Sequence, residues 1–261
     1  MLACPVCRSC LEKDEYALRC IGCHHKFPCQ LGVPVFIDSP VKIALDHISH
    51  PMGAEFQTIL LEGNSLVLNI GAGGTAQRFA TCIELEHKIF RHTDVVGDAH
   101  TLPFRDNVFD WVFAFNVFEH LRDPLRASAE ILRVLKPGGK VAIHTAFLQP
   151  LHEAPHHYFN ATEFGVREWF RSYEIDRCEV SANFGPGMML AFLTTNVMAA
   201  AKEAGMKADA LARLSESTLA EWAAVWAGKQ PQPDVFVEVQ SLPQSAQSKI
   251  AAGFELIAAK P

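Results

Sequence analysis

Three groups of residues in this 261-residue chain have types and spacings that do chemistry. Four of its eight cysteines stand as Cys4-x2-Cys7 and Cys20-x2-Cys23, with twelve residues between the pairs. A CxxC turn brings two thiolates within reach of one ion, and two such turns at the tips of short hairpins complete a tetrahedral four-thiolate site for Zn2+. A segment this short buries too little surface to fold alone, so the metal is expected to supply most of its stability. Unliganded thiols or a redox-active pair are the alternative. Cys10 and Cys29 fall outside the tetrahedral count.

The second group is the stretch LVLNIGAGG, Leu66 to Gly74. An apolar run that stops at clustered glycines is how a buried strand delivers its backbone to a nucleotide-like ligand, because the turn carries no side chains where the ligand must approach. A dinucleotide needs G-x-G-x-x-G, with a helix start aimed at its pyrophosphate. Here the sixth position is Ala76, which the G-x-G-x-x-A variant tolerates, so spacing alone leaves a dinucleotide open.

The third group is the histidines of AFLQPLHEAPHHYFNATEF, Ala146 to Phe164. His152 and His157, and more distantly His120, are candidate general bases, since a neutral imidazole has its ordinary pKa near working pH. Pro150 and Pro155 forbid a continuous helix, so His152 and His156 do not form the i, i+4 metal pair their numbers suggest. Histidines bonded within their own loop are the competing reading.

These groups need elements to hold them. Leu66–Ile70, broken only by Asn69, is expected to be a central parallel strand, and TCIEL the next, with Glu86 at its carboxyl end where a carboxylate can accept both ribose hydroxyls. A solvated surface charge is the alternative for Glu86. DVVGD is a short strand ending in Asp98. FDWVFAF is a strand entered through Asp110 that runs into a helix start. Asp123 caps a helix with Pro124 at its first position and Leu125, Ala129 and Leu132 along one face; Gly138-Gly139 stops it, and a strand follows over Lys140–Thr145. The histidine-rich loop then lies over the carboxyl edge of the sheet, where ligands bind in open α/β folds. A capped helix is expected from Asn160 or Thr162 to Phe170, with Phe164, Val166, Trp169 and Phe170 on its apolar face. EIDRCEVS alternates as a strand, and about 188–229 is expected to be a helical lid or outer layer carrying Trp222 and Trp226.

In the first segment, KFPCQLGVPVFID reads as a strand, a turn at Gly32 and a second strand. The pattern CPVC…LRCIGC…FP…GVPVFID resembles the zinc ribbon found as a small partner or amino-terminal extension of methyltransferases, over about residues 2–38. The ordered series from the glycine turn through DVVGDAHTLPF, FDWVFAFNVFEHL and the Asp123 helix resembles the class I S-adenosylmethionine (SAM) methyltransferases over about residues 64–147, with FELIAAKP, Phe254 to Pro261, like that family's last strand. The resemblance implies an α/β, Rossmann-like, doubly wound and mostly parallel sheet. It implies SAM as cofactor, with the backbone of Gly71 and Gly73, beside Asn69 and Ala72, bordering its methionine end. Asp98 and the Ala99 amide would read the adenine edge, and Asn116 would lie close to the sulfonium. Two departures stand out: the family usually has an acidic residue where Asn69 stands, and a full helix where only TAQRFA separates the first two strands.

The expected domains are 1–40, a zinc ribbon, and 54–261, a methyltransferase domain with the helical insertion. The formal charge of −6 gives no general attraction to a phosphate backbone or an anionic bilayer. Over residues 1–50 five basic side chains face five acidic ones, so the ribbon is a poor nucleic-acid clamp. The amino terminus lacks a cationic segment followed by an apolar core, and Met188–Ala201 is too short to span a bilayer, so a cytoplasmic protein without membrane contact is expected. The acceptor is expected to be a small molecule or sugar-containing metabolite. The alternatives are an RNA base methyltransferase and a non-catalytic SAM-binding subunit, and the ribbon is a candidate surface for a protein partner.

Overall fold

The computed structural model describes residues 1–181, 184–228, 233–252 and 256. Two compact units emerge: Met1–Phe147 with Tyr158–Cys178, and Leu148–His157 with the chain from Glu179 onward.

The first unit opens with an antiparallel sheet of β1 (Leu11–Asp14), β2 (Ala17–Cys20), β3 (Lys26–Gln30) and β4 (Val33–Pro34), joined in that order. The expected turn falls at Leu31 and Gly32, both left-handed, which lets β3 reverse directly into β4. Its core is only Cys4, Cys20 and Phe27, flanked by Leu11, Leu18 and Phe36. So small a cluster stabilises little by burial alone.

β5 (Lys42–Ile43) pairs with β8 (Lys88–Ile89), and α1 (Ala54–Glu62) follows β5. The main sheet consists of β6 (Val67–Ile70), β7 (Cys82–Glu86), β9 (Val95–Val96), β10 (Phe109–Phe115) and β11 (Leu135–His144), in the order β11-β10-β6-β7-β9, with every pair parallel. α2 (Pro124–Val134) crosses between β10 and β11. Strand alternation gives each face its own helix. Val67, Cys82 and Phe113 pack with Phe56 and Leu60 of α1. Leu68, Ile70, Val112 and Ala114 pack with Ala127, Ile131 and Val134 of α2. Burying each large apolar side chain contributes roughly 1.5–3 kcal/mol, which makes these two layers the main source of the unit's stability.

The face of α2 differs from the expectation. Leu125 and Leu132 are exposed, whereas Ala127, Ile131 and Val134 are buried. Both stripes satisfy a helical period; the Asp123 cap, accepting from the Arg126 amide, starts the helix, and the sheet buries the stripe that ends in Val134. The strand beyond it is continuous from Leu135, but its register jumps from Phe109↔Leu135 to Trp111↔Lys140, so Lys136–Gly139 bulge out and regular pairing begins at Lys140. α3 (Glu163–Trp169) is capped by Thr162, whose hydroxyl accepts from the Gly165 amide. Phe164 is exposed rather than on the apolar face, because Val166, Trp169 and Phe170 align at i, i+3 and i+4 while Phe164 points the other way. Glu174–Ser181 is not a strand and pairs with no strand among the described residues; exposed ion pairs, Lys140–Asp176 and Arg177–Glu55, hold part of it.

The amino-terminal segment docks along the outer edge of β9. Val35 bridges Val96 in parallel, the Phe36 amide donates to Val96 O at 2.8 Å, and Val35, Ile89 and Val96 share a core. The Ala3 amide donates to Pro103 O and the Arg105 amide to Met1 O, both at 3.0 Å. These pairings cover a sheet edge that would otherwise present unpaired amides.

The second unit contains α4 (Pro186–Glu203), α5 (Ala208–Glu216), α6 (Leu219–Trp226), α7 (Phe236–Gln240) and α8 (Gln244–Ile250) around Ala201, Ala210, Leu214, Val235, Leu242 and Ala246. Trp222 packs against this core, with its ring N–H donating to Ser217 Oγ at 2.7 Å, whereas Trp226 is 95% exposed, so the two do not pack as a pair. The strand expected at FELIAAKP lies outside the described residues apart from Leu256. No helix among the described residues is long and apolar enough to cross a membrane.

Candidate functional site

Register aligns the carboxyl ends of the parallel strands. Ile70 pairs with Leu85 and Ala114, Glu86 with Val96, and Phe115 with His144. The glycine turn, Glu86, Asp98, Asn116 and Thr145 therefore follow at one edge, the place where open parallel sheets hold ligands.

Gly71 and Gly73 have φ of +64° and +66°, and the Gly71 amide donates to Leu85 O at 2.9 Å. An L side chain in this region costs about 1–2 kcal/mol before any clash. A Cβ at Gly71 would also lie 2.4 Å from Val117 Cγ2. The turn thus requires glycine and leaves Gly71 exposed and Ala72 half-buried at the sheet edge.

Glu86 closes the end of β7. Its Oε1 accepts from the Gly73 amide at 2.5 Å and its Oε2 from the His87 amide at 3.0 Å. Burial raises its carboxyl despite these amides. Asp98 uses Oδ1 to accept from both the His100 amide, at 2.9 Å, and His100 Nδ1, at 2.6 Å. Burial works to raise Asp98, but the two His100 bonds outweigh it and leave the carboxyl lowered, so Asp98 is ionised at neutral pH. Ala99 beside it is buried. Asn116 has φ +56°, donates its amide to His144 O at 2.9 Å and exposes its side chain.

Asn69 is buried and sits in register with Glu84 on β7, also buried. Glu84 Oε1 accepts from the Thr75 hydroxyl at 2.6 Å, and that hydroxyl lies 3.0 Å from His92 Nδ1. Glu84 Oε2 has no partner among the described residues, and burial pushes the carboxyl up to about 7. A buried acid is thus present beside position 69, on the neighbouring strand.

Reading the sequence missed several residues at this edge. Glu119, fully buried in the 3-10 turn Phe118–His120, accepts from the Thr145 hydroxyl at 3.0 Å, and its carbonyl accepts from the Tyr158 and Phe159 amides. Arg122 Nε donates to the Tyr158 hydroxyl at 2.9 Å. His144, ending β11, packs against Phe115 with the rings tilted and their centroids 4.5 Å apart, and burial lowers its pKa. A charged residue between Phe118 and His120 was the available signal for Glu119; nothing local marked His144.

His120 is half-buried, and its amide donates to Val117 O. His152 and His157 belong to the second unit, where their rings lie 4.2 Å apart, the His152 amide donates to His157 Nδ1 at 3.3 Å and His152 Nδ1 donates to Pro150 O at 3.0 Å. The loop that carries them is not helical, in line with Pro150 and Pro155.

The sulfurs of Cys4, Cys7, Cys20 and Cys23 lie within 4.8 Å of one another, with Cys4 and Cys23 Sγ 3.6 Å apart and Cys7 and Cys20 Sγ 3.3 Å apart. Tetrahedral zinc with Zn–S near 2.3 Å separates its sulfurs by about 3.8 Å, so the cluster is the right size for one ion. The two knuckles share one backbone geometry. Arg8 and His24, each four residues after the first cysteine of its pair, are left-handed at φ +61°, and each returns its amide to that cysteine's carbonyl. Hydrogen bonds from Ser9 draw the Cys7 thiol down to about 6.

Residues 71–143 match the methyltransferase domain family. That stretch runs from the glycine turn to the end of the last parallel strand. Similar proteins include a ubiquinone/menaquinone biosynthesis C-methyltransferase of Idiomarina loihiensis, 30% identical over 45% of this chain and 43% of that protein, and a demethylmenaquinone methyltransferase of Renibacterium salmoninarum, 47% identical over 19% and 21%. The chain therefore spans less than half the length of these relatives. A phosphoethanolamine N-methyltransferase 2 of Haemonchus contortus, solved with SAM, superposes loosely, with a TM-score of 0.41 at 18% identity over 72% of this chain and 49% of its own.

Proposed function

We propose that this chain is a SAM-dependent methyltransferase with an amino-terminal zinc ribbon. The observation that carries the reading is the edge itself: a glycine-dependent turn, a carboxylate ending the next strand and an ionised Asp98 beyond it, within the stretch that matches the methyltransferase domain family. These acceptors suit the hydroxyls and the amino group of an adenosyl ligand. The second oxygen of Asp98 makes no hydrogen bond among the described residues, and Glu86 offers lone pairs to hydroxyls.

SAM carries a methyl on a sulfonium, already activated for in-line displacement, so the protein's task is positioning and, for a protonated nucleophile, proton removal. On this reading the backbone of Gly71 and Gly73, with Asn69 and Ala72, borders the methionine end. Glu86 takes the ribose hydroxyls, Asp98 and the Ala99 amide take the adenine edge, and Asn116 lies near the reacting centre. His120, His152 and His157 are the candidate bases. Cys4, Cys7, Cys20 and Cys23 hold the Zn2+.

The acceptor is a small molecule or sugar-containing metabolite. The net charge of −6 and a charge-balanced ribbon disfavour RNA, and the relatives named for quinone methylation favour a small acceptor. A second reading, a SAM-binding subunit without its own turnover, has one observation in its favour: the Gly73 and Gly74 amides are already engaged by Glu86 and Ser49. Transfer of labelled methyl from SAM into fractionated cell extract separates the two. Label in a low-molecular-weight fraction supports the enzyme; label in RNA would redirect the acceptor, and no transfer despite tight SAM binding would favour the subunit.

A further inference from the structure

The connection between β5 and α1 is anchored at both ends and nearly bare in between. Ala44 donates its amide to Ile89 O at 2.9 Å beside the β5–β8 pairing, and α1 is held to the sheet by Phe56 and Leu60. Between them Leu45 and Ile48 are 43% and 56% exposed, and only at Met52, which packs beside Phe56 and Leu60 just before α1, does the stretch reach the core, so apolar packing does little to fix residues 45–51.

What fixes it is the glycine turn. The Ser49 amide donates to Gly74 O at 2.8 Å, and the Gly74 amide donates back to Ser49 Oγ at 3.1 Å. Ser49 Oγ also lies 3.3 Å from His47 Nε2, and the His47 ring packs on Phe90 with centroids 5.5 Å apart. The approach is close enough that a Cβ at Gly73 would stand 2.3 Å from Ser49 Oγ, and one at Gly74 1.9 Å from His47 O. The second and third glycines of the motif are therefore required by the protein's own strap as well as by any ligand.

We propose that residues 45–53 form a strap over the cofactor turn and that Ser49 is its latch, a positioning residue whose hydroxyl holds the Gly74 amide until an adenosyl ligand takes its place. The inference rests on the SAM reading for the identity of the ligand, but the latch itself does not. A segment with exposed apolar side chains and few buried contacts opens locally at low cost. The latch contributes one neutral hydrogen bond, worth on the order of 1 kcal/mol, or about a fivefold shift between closed and open.

The test uses the full chain with its metal. Without any ligand, hydrogen exchange at the Gly74 amide is expected to quicken about fivefold in Ser49→Ala and to return towards the original rate in Ser49→Thr, which keeps the hydroxyl. With S-adenosylhomocysteine as the probe, Ser49→Ala is expected to bind faster and about fivefold more tightly, since the ligand no longer competes with the latch. Unchanged exchange at Gly74 overturns the latch. Quicker exchange with weaker binding overturns the competition, because Ser49 would then be serving the bound state. Quicker exchange in a protein that binds no S-adenosylhomocysteine in either form supports the strap and sinks the SAM reading instead.

Discussion

His100 holds Asp98 from one side and a helix from the other. Its Nδ1 lies 2.6 Å from Asp98 Oδ1, and its Nε2 accepts from the Asp123 amide at 3.2 Å, at the cap of α2. The ring thus bridges the carboxylate and the start of α2. The carboxylate proposed to read adenine is thereby tied to the helix that packs on the sheet.

Loss of that tie should be felt in cofactor binding. Asp98→Ala is expected to weaken SAM affinity about tenfold, the worth of one charge-assisted hydrogen bond, and His100→Ala to weaken it less, by freeing the carboxylate to swing. Titration calorimetry of each variant reads both effects; equal affinity in Asp98→Ala removes the residue from the site.

Metal removal should act beyond the ribbon. The purified chain is expected to hold about one equivalent of zinc, and Cys7→Ser to lose most of it. The ribbon core is small and its pairings cover the β9 edge, so chelation should also expose the Val96 amide region to hydrogen exchange. Full metal retention in Cys7→Ser contradicts the site, and unchanged exchange at β9 after chelation contradicts the buttressing.

Glu84 gives stability a pH dependence with a definite sign. Its carboxyl rises from about 4.5 unfolded to about 7 folded, through burial first, with Asp94 and Glu86 raising it further and Thr75 and Arg78 lowering it. The folded state therefore keeps a proton that the unfolded state gives up. The contribution is full below the unfolded value and is lost as pH rises through the folded one. Glu84→Gln should remove this slope and, at about 1.4 kcal/mol per pKa unit, gain at most about 3 kcal/mol over the original chain above pH 7. Urea denaturation from pH 4.5 to 8 checks it; a difference that does not change with pH contradicts it.

The sequence announced what depends on local spacing and left unmarked what depends on tertiary choice. Cysteine pairs, the glycine turn and the Asp123–Pro124 helix start are written in adjacent residues, and the structure brings the four sulfurs together and forms the turn and the cap. The face of α2 was not legible, because two stripes of that helix have the same period and only the sheet chooses between them. The strand expected at Glu174–Ser181 had the alternation but pairs with no strand among the described residues. Ser49 and Glu119 gave no warning, since a serine in a connection and a glutamate before a histidine read as solvated until the chain folds around them.

The most direct test of the account is equilibrium binding of S-adenosylhomocysteine, with NAD as the competing ligand for the same kind of turn. The account requires saturable one-to-one binding of S-adenosylhomocysteine, weakened in Glu86→Ala and Asp98→Ala, and no competition from NAD. Binding of NAD in preference, or binding of S-adenosylhomocysteine indifferent to both carboxylates, would contradict it.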